Sequence, residues 1–299
     1  MKQGPGVSSP GIGAPVGITY AADACLACGK SLINPSRGFS DLFLCLDHCL
    51  QGGETTCKQS KISGYFTPGT FQQYVVSPAR YVIPIPPTIE PSMAAPLMCG
   101  GLSVYAALKR AEVRPGAWVV VCGAGGGLGH LGIQYAKAMS GRVLALDTDS
   151  KRQFCLDLGA DDFLDFAAYQ MPALLTTEIQ RITGGGASIV LMCTSSSRAY
   201  SQSMSWLGFR GTLACLGIPK ENHLNPRVMD MVTYEQRIIG KSAAYHCTCI
   251  PANIMKQQKL GIGLKLRNVF RLLHKVVSRF KSRFVVWMNS QRYSPISPS

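Results

Sequence analysis

"WVVVCGAGGGLGHLGIQYAKAMSGRVLALD", residues 118–147, decides the fold. A β-branched run, Val119 to Cys122, enters a glycine cluster. A helical pattern follows, in which Leu128, Leu131, Ile133, Tyr135, Ala136 and Met139 share one broad face. A second apolar run, Arg142 to Leu146, ends at Asp147. Strand, glycine turn, helix, strand and terminal acid are the parts that a dinucleotide-binding βαβ unit requires.

Each part has a physical task. Gly123, Gly126 and Gly129 are expected to let the turn close, bring backbone near a pyrophosphate, and let the helix pack on the sheet. The helix N-terminus offers unpaired N–H groups and the positive end of its dipole to phosphates. Asp147, 18 residues after Gly129, can accept hydrogen bonds from both hydroxyls of an adenosine ribose. A carboxylate there repels a 2′-phosphate, so NAD is favoured over NADP, and nearby Arg152 works slightly against that preference. The spacing is G-x-x-G-x-x-G, with Leu128 where a strict G-x-G-x-x-G would have its third glycine. An ordinary tight βα turn is the alternative, and the strand, helix and acid in register favour the dinucleotide. Downstream, "ASIVLMCTS" (187–195) reads as a buried strand, a helical stretch starts at Ser197, and "GTLACLGIP" (211–219) reads as another strand. Residues 99–240 are therefore expected to form one α/β, Rossmann-like domain on a doubly wound parallel sheet.

The chain has 299 residues and 46% hydrophobic composition, enough for one large domain or two ordinary ones. Its first residues, "MKQGPGVSSPGIGAP", lack an apolar signal core, and no run of about 18 apolar residues suggests a membrane span. With twelve cysteines spread along the chain and no secretory signal, thiols and metal ligands are expected rather than disulfides, and the expected location is cytoplasmic. The net charge of +14 is unevenly placed: all 16 acids precede Gln236, whereas 12 of the 30 Lys and Arg follow Glu235. The body is near neutral, so nucleic acid is not the expected partner.

Two features lie upstream. Cys25 and Cys28 form a Cys-x2-Cys knuckle, and Cys49 and Cys57 follow with seven residues between them. Further on comes "SGYFTPGTFQQYVVSPARYVIPIPPTIEPSMAAPLMCGGLSVYAALKRAEVRPGAWVVV" (63–121). With "GAGGGLGHLGIQYAKAM" and the cysteine-rich stretch, this resembles the zinc-containing alcohol dehydrogenases of the medium-chain family, the yeast-type branch above all. The resemblance covers about residues 4–28 and 47–240. It implies a GroES-like β domain, partial here over residues 1–98, ahead of the NAD-binding Rossmann domain over 99–240. It also implies an oxidoreductase that uses Zn and NAD on a small-molecule alcohol or aldehyde.

In that family four cysteines surround a structural zinc. Omitting residues 29–46 gives "CLAC-DHC-LQGGETTC", the family spacing, so Cys25, Cys28, Cys49 and Cys57 are expected as a closed tetrahedral site. The 18 extra residues read as a retained intron: Gly29-Lys30-Ser31 can be encoded GGT-AAG-TCN, and Leu46-Asp47 as CTA-GAT, supplying donor and acceptor signals. A genuine surface insertion is the alternative. Gly240-Lys241-Ser242 repeats the tripeptide, and the resemblance ends there. Near the end "VWMNSQRYS", shifted one frame, reads MDEFTEVF, which fits a second retained intron followed by a frameshift. Residues 241–299 are thus expected as a non-family basic tail, disordered or helical. Arg267, Arg271, Lys275 and Arg279 line one helical stripe, opposite Val269, Leu272, Leu273, Val276 and Phe280. Only if that tail is genuine does an anionic membrane surface become an expected partner.

The family's catalytic zinc is held by two cysteines and a histidine. Cys99 in "APLMCGG" matches the second of those cysteines, and Ser103 matches the hydroxyl residue beside the nicotinamide. The first cysteine and its Gly-His-Glu segment are expected upstream of residue 4, so the chain reads as truncated and mis-spliced, with impaired activity. A non-catalytic NAD-binding Rossmann protein is the competing expectation. The family commonly pairs through the edge of the Rossmann sheet, a possible route to a homo-oligomer, and that edge is expected within or beyond the region after residue 240.

Overall fold

The computed structural model describes residues 4, 6–7, 10–23, 60–221, 224 and 226–240. They fall into two compact units, the first ending at Ala106 and the second running from Ala107 to Gly240. Cys25, Cys28, Cys49, Cys57 and the basic tail lie outside the described residues.

The first unit is built on short antiparallel ladders. Strand β1 (Val16–Ile18) pairs with β4 (Val82–Pro84), and β2 (Ala21–Asp23) pairs with β3 (Lys61–Ile62). Tyr81, Ile83 and Ile85 are buried, because period-two alternation turns every second side chain inward. Helix α1 (Pro91–Ala94) opens on a proline, where the missing N–H costs nothing, and a 3-10 turn (Ala95–Met98) continues it. Met98 packs so closely on Gly17 that a side chain there would overlap its sulfur. Helix α2 (Gly100–Ala111) then carries the chain into the second unit.

The second unit is a six-stranded sheet with every pairing parallel. Its elements alternate in chain order: β5 (Trp118–Cys122), α3 (Gly129–Ala138), β6 (Arg142–Asp147), α4 (Arg152–Asp157), β7 (Asp162–Asp165), α5 (Pro172–Thr183) and β8 (Ala187–Met192). Helix α6 (Ser197–Gln202), β9 (Leu207–Cys215), α7 (Val228–Tyr234) and β10 (Arg237–Gly240) complete it. Across the sheet the strands run β7, β6, β5, β8, β9, β10. This is the doubly wound order, in which the chain starts in the middle, builds one way, and returns to build the other.

Burial on both faces explains why the strands read as continuous apolar runs. Val120, Leu144, Val190 and Leu213 face a core shared with Leu175 and Ile179 of α5 and with Trp206. The alternate residues Val119, Val121, Val143, Ala145, Ile189 and Leu191 are as fully buried. On that side α3 lies close: a Cβ on Gly132 would stand 2.8 Å from Leu191 Cδ2 and 3.3 Å from Val121 Cγ1. At the first rung of β5 and β6, Trp118 pairs with Arg142, whose guanidinium lies 3.9 Å from the indole centroid.

The α/β class and the parallel sheet agree with the sequence, and two local expectations change. Helix α3 is buried from Gly129 through Ala136, all round rather than on one broad face. Strand β9 begins at Leu207, four residues earlier than "GTLACLGIP" suggested, because Arg210 takes a left-handed conformation (φ 57°) and the strand bends through it instead of starting after it. Among the described residues the sheet ends at β10, Arg237–Gly240, and the region after residue 240, where the pairing edge is expected, lies outside them.

Gly132 carries the packing prediction. Substituting alanine gains up to about 1 kcal/mol of helix propensity but overpacks a dry interface, a cost of about 1–3 kcal/mol. Urea unfolding of Gly132→Ala should show a net loss, and Gly132→Val a larger one, with little change in the slope of the transition.

Candidate cofactor site

The site begins where β5 ends. Gly123 takes φ +75°, a conformation open to glycine and strained for a side chain, and its N–H donates to the Leu146 carbonyl at 2.9 Å. The turn is therefore fastened to the neighbouring strand at once. Gly126 N–H closes it by donating to the Gly123 carbonyl at 3.1 Å. The chain then passes directly over its own start: a Cβ on Gly129 would overlap the Gly123 carbonyl oxygen and stand 2.6 Å from Ala124 Cα. Gly129 is thus fixed as glycine by steric exclusion against the backbone of the turn itself. At Gly126 a Cβ would meet only the Gly123 oxygen at 3.2 Å, and at Gly127 nothing within 4 Å.

Past the crossing, helix α3 starts with its donors partly spent. The Gly126 carbonyl accepts from His130 N–H at 3.1 Å and lies 3.0 Å from His130 Nδ1. A neutral imidazole protonated on Nδ1 satisfies that second contact. Gly127 and Leu128 N–H groups have no partner among the described residues, and the space beside Gly127 is open. Unspent donors at the start of a ten-residue helix beside open space fit a dinucleotide pyrophosphate.

Asp147 closes the other side. Its Oδ2 accepts from Gly125 N–H at 2.8 Å, and its Oδ1 from Thr148 N–H at 2.8 Å. The acid that ends β6 is therefore also the latch that holds the glycine loop, a role the sequence reading did not include. Oδ1 also accepts from the Thr148 hydroxyl at 3.4 Å, and Oδ2, with one partner, keeps acceptor capacity for a ribose hydroxyl. Arg152 is turned to other work: Nε meets Asp149 Oδ1 at 2.7 Å, and the guanidinium lies 4.6 Å from the Phe163 ring centroid. The cation beside the loop is Lys151, whose stem carbons lie 2.8 Å from where a Gly125 Cβ would be.

Strand order reverses between β5 and β8, the place in a doubly wound sheet where ligands bind past the carboxyl ends of the strands. Thr194, which follows β8, has its Cβ 3.1 Å from the position a Gly123 side chain would take. Gly217 lies so close to the Thr194 carbonyl that a side chain would overlap it, and the Tyr200 hydroxyl donates to the Gly217 carbonyl. Three thiols also occupy this end of the sheet. Burial pushes Cys122 up to about 12, with Asp147 adding to the effect, and burial likewise raises Cys193 and Cys215. All three are protonated near neutrality and serve as packing, not nucleophiles.

The metal expectations stand apart. Cys99 is an exposed free thiol in the first unit, its carbonyl accepting from Ser103 N–H at 3.1 Å, while Ser103 is buried one turn later. Among the described residues no group of three His, Cys, Asp or Glu side chains could hold a metal ion. The described donor set therefore does not build a catalytic zinc site. Sequence reasoning also missed Gly125, Gly132, Lys151 and Thr194. Gly132 was within reach, since it sits three residues after Gly129 on a helix already judged to pack on the sheet.

Comparison with known proteins gives the same direction. A family described as zinc-binding dehydrogenase matches residues 127–252, past the point where the resemblance by eye ends. Alcohol dehydrogenase 2 of Emericella nidulans is 40% identical over 228 residues, 74% of this chain and 57% of the relative. The alcohol dehydrogenase of Schizosaccharomyces pombe is 32% identical over 282 residues, 92% of this chain and 75% of the relative. The chain thus spans between about half and three quarters of the length of these relatives. The crystal structure of the alcohol dehydrogenase from the archaeon Aeropyrum pernix shares the fold with a TM-score of 0.65 at 24% identity, over 85% of this chain and 69% of that one. An NAD-dependent alcohol dehydrogenase structure shares it at 0.66 and 24%, over 85% and 68%.

His130 gives the site its pH signature. Burial lowers its pKa from the ordinary 6.5, while the Gly126 and Gly127 backbone pulls the other way. As pH falls through 6.5 the unfolded chain takes up this proton first, so stability is full above that value and declines toward the folded pKa. Thermal melts between pH 8 and pH 5 should show this decline, and a smaller one in His130→Asn.

Proposed function

This chain belongs to the zinc-containing alcohol dehydrogenase family, and on that premise we propose that it binds NAD at the glycine turn and transfers hydride to it from a small alcohol. The observation that carries the reading is the latched loop: Asp147 holds Gly125 while the N–H groups of Gly127 and Leu128 stay unspent. Bound NAD supplies the hydride acceptor. The protein's own share is to seat the pyrophosphate on these donors, orient the adenosine ribose against Asp147, and let that carboxylate repel a 2′-phosphate. Cys25, Cys28, Cys49 and Cys57 are proposed as the ligands of a structural zinc, and Cys99 with Ser103 as groups at the substrate end.

A second reading, a nucleotide-binding protein without dehydrogenase activity, is favoured by one observation. Among the described residues the glycine turn keeps unspent donors, while no three His, Cys, Asp or Glu side chains are grouped to hold a metal ion. The two readings share cofactor binding and part at turnover. Nucleic acid and membrane are not proposed as partners.

Two measurements test these proposals. NAD should bind the full chain more tightly than NADP by fluorescence titration, and Asp147→Asn should narrow the gap while keeping an acceptor for Gly125. Asp147→Ala should narrow it too, and lose about 1–3 kcal/mol of stability by leaving the loop N–H unpaired. Equal affinities in the parent chain refute the assigned role of Asp147. Metal analysis of the full chain should find near one zinc, lost in Cys49→Ser or Cys57→Ser. Ethanol-dependent NADH production then decides between dehydrogenase and binding protein.

A further inference from the structure

The sheet has a second concave site, at the opposite ends of its strands from the glycine turn. A cavity of about 340 Å³ lies where β5, β8 and β10 begin and β9 bends. Buried Ala111, Ile189 and Thr212 line it, and three arginines, Arg114, Arg210 and Arg237, stand around it with Glu112 and Glu235. The geometry points to a phosphate-binding site here, one that takes a small phosphorylated molecule and is separate from the cofactor crevice.

Four observations carry this. First, the charge is lopsided: three guanidiniums face two carboxylates, in a body that is otherwise near neutral. Second, donors are left over. Arg210 spends Nε on Glu235 at 2.6 Å, and Arg237 spends Nε on Thr212 Oγ1 at 3.2 Å. Arg237 Nη2 approaches Glu112 only to 3.9 Å, beyond hydrogen-bond reach, and the Arg114 guanidinium has no partner among the described residues. Third, Thr212 is 1% exposed, so Arg237 is anchored by a group that does not move. Fourth, four described residues other than glycine have a left-handed backbone, and three of them line this cavity: Glu112 (φ 59°), Arg210 (φ 57°) and Glu235 (φ 50°). Each is strained relative to the same position filled by glycine. The sequence places charge at all three.

Phosphate suits these donors because guanidinium presents paired N–H groups that match its oxygens, and because two arginines can share its charge. Glu112 and Glu235 then act as counter-ions that the ligand displaces. The exposed ion pairs they make are weak enough to yield.

The test uses the full chain, equilibrium dialysis with labelled inorganic phosphate at constant ionic strength, and four variants. Arg114→Gln with Arg237→Gln should weaken binding about tenfold or more, the loss expected from removing charge-assisted hydrogen bonds. Glu112→Gln should tighten it. Arg181→Gln, at an exposed cation on α5 that does not line the cavity, should leave it unchanged. Arg114→Gln alone, at an exposed side chain, should weaken binding without altering circular dichroism, which separates site loss from misfolding. Absence of binding in the parent chain, binding unaffected by the changes at Arg114 and Arg237, or an equal loss in Arg181→Gln would each overturn the proposal. A failure of NAD to bind would leave it standing.

Discussion

The second unit turns on one steric fact: the chain crosses itself at Gly123 and Gly129 with no room for a Cβ between them. That crossing sets where α3 begins and how steeply it leaves the sheet. Because α3 begins there, Gly132 meets Leu191 and Val121 at backbone distance, and the helix is buried on all sides. Because it begins there, the N–H groups of Gly127 and Leu128 have no partner among the described residues, and the space beside Gly127 is open. Packing and ligand binding thus depend on the same close approach.

The Asp147 carboxylate couples this crossing to the next strand. Register alone places Asp147 at the end of β6, one residue beyond the Cys122–Leu146 pair. From that position it reaches Gly125 and fixes the outer part of the loop, while Gly123 is held by Leu146. Such a carboxylate accepts from the protein before any cofactor arrives, so part of its desolvation is already compensated. The loop is pre-organised, and less ordering entropy remains to be lost on binding.

What the sequence revealed follows the same logic. The β5-α3-β6 unit was legible because each element announces itself locally: a β-branched run, a glycine cluster, a helical period, an acid. Strand β7 was not, since Asp162–Asp165 is four residues long with acids at both ends. The start of β9 was hidden by Arg210, which no propensity scale places in a left-handed bend. Lys151 over Gly125 and the Asp147–Gly125 latch are contacts between residues more than twenty apart, and only the pairing of β5 with β6 brings them together. The cysteines proposed to hold zinc are the reverse case: Cys25, Cys28, Cys49 and Cys57 are legible in spacing and lie outside the described residues.

The two ends of a parallel sheet are electrostatically unlike. At the carboxyl ends of the strands, helices present their N-termini, so backbone alone can hold a phosphate and the glycine turn needs no arginine. At the opposite ends, helices present their C-termini and partial negative charge; α2 finishes at Ala111, on the rim of the arginine cavity. An anion there must be held by side chains strong enough to outweigh that field. One cation would satisfy the helix end, and the cavity has three, each with donors unspent. The surplus is what a phosphate requires at this end of the fold, and it explains why charged side chains occupy left-handed positions that glycine would fill with less strain.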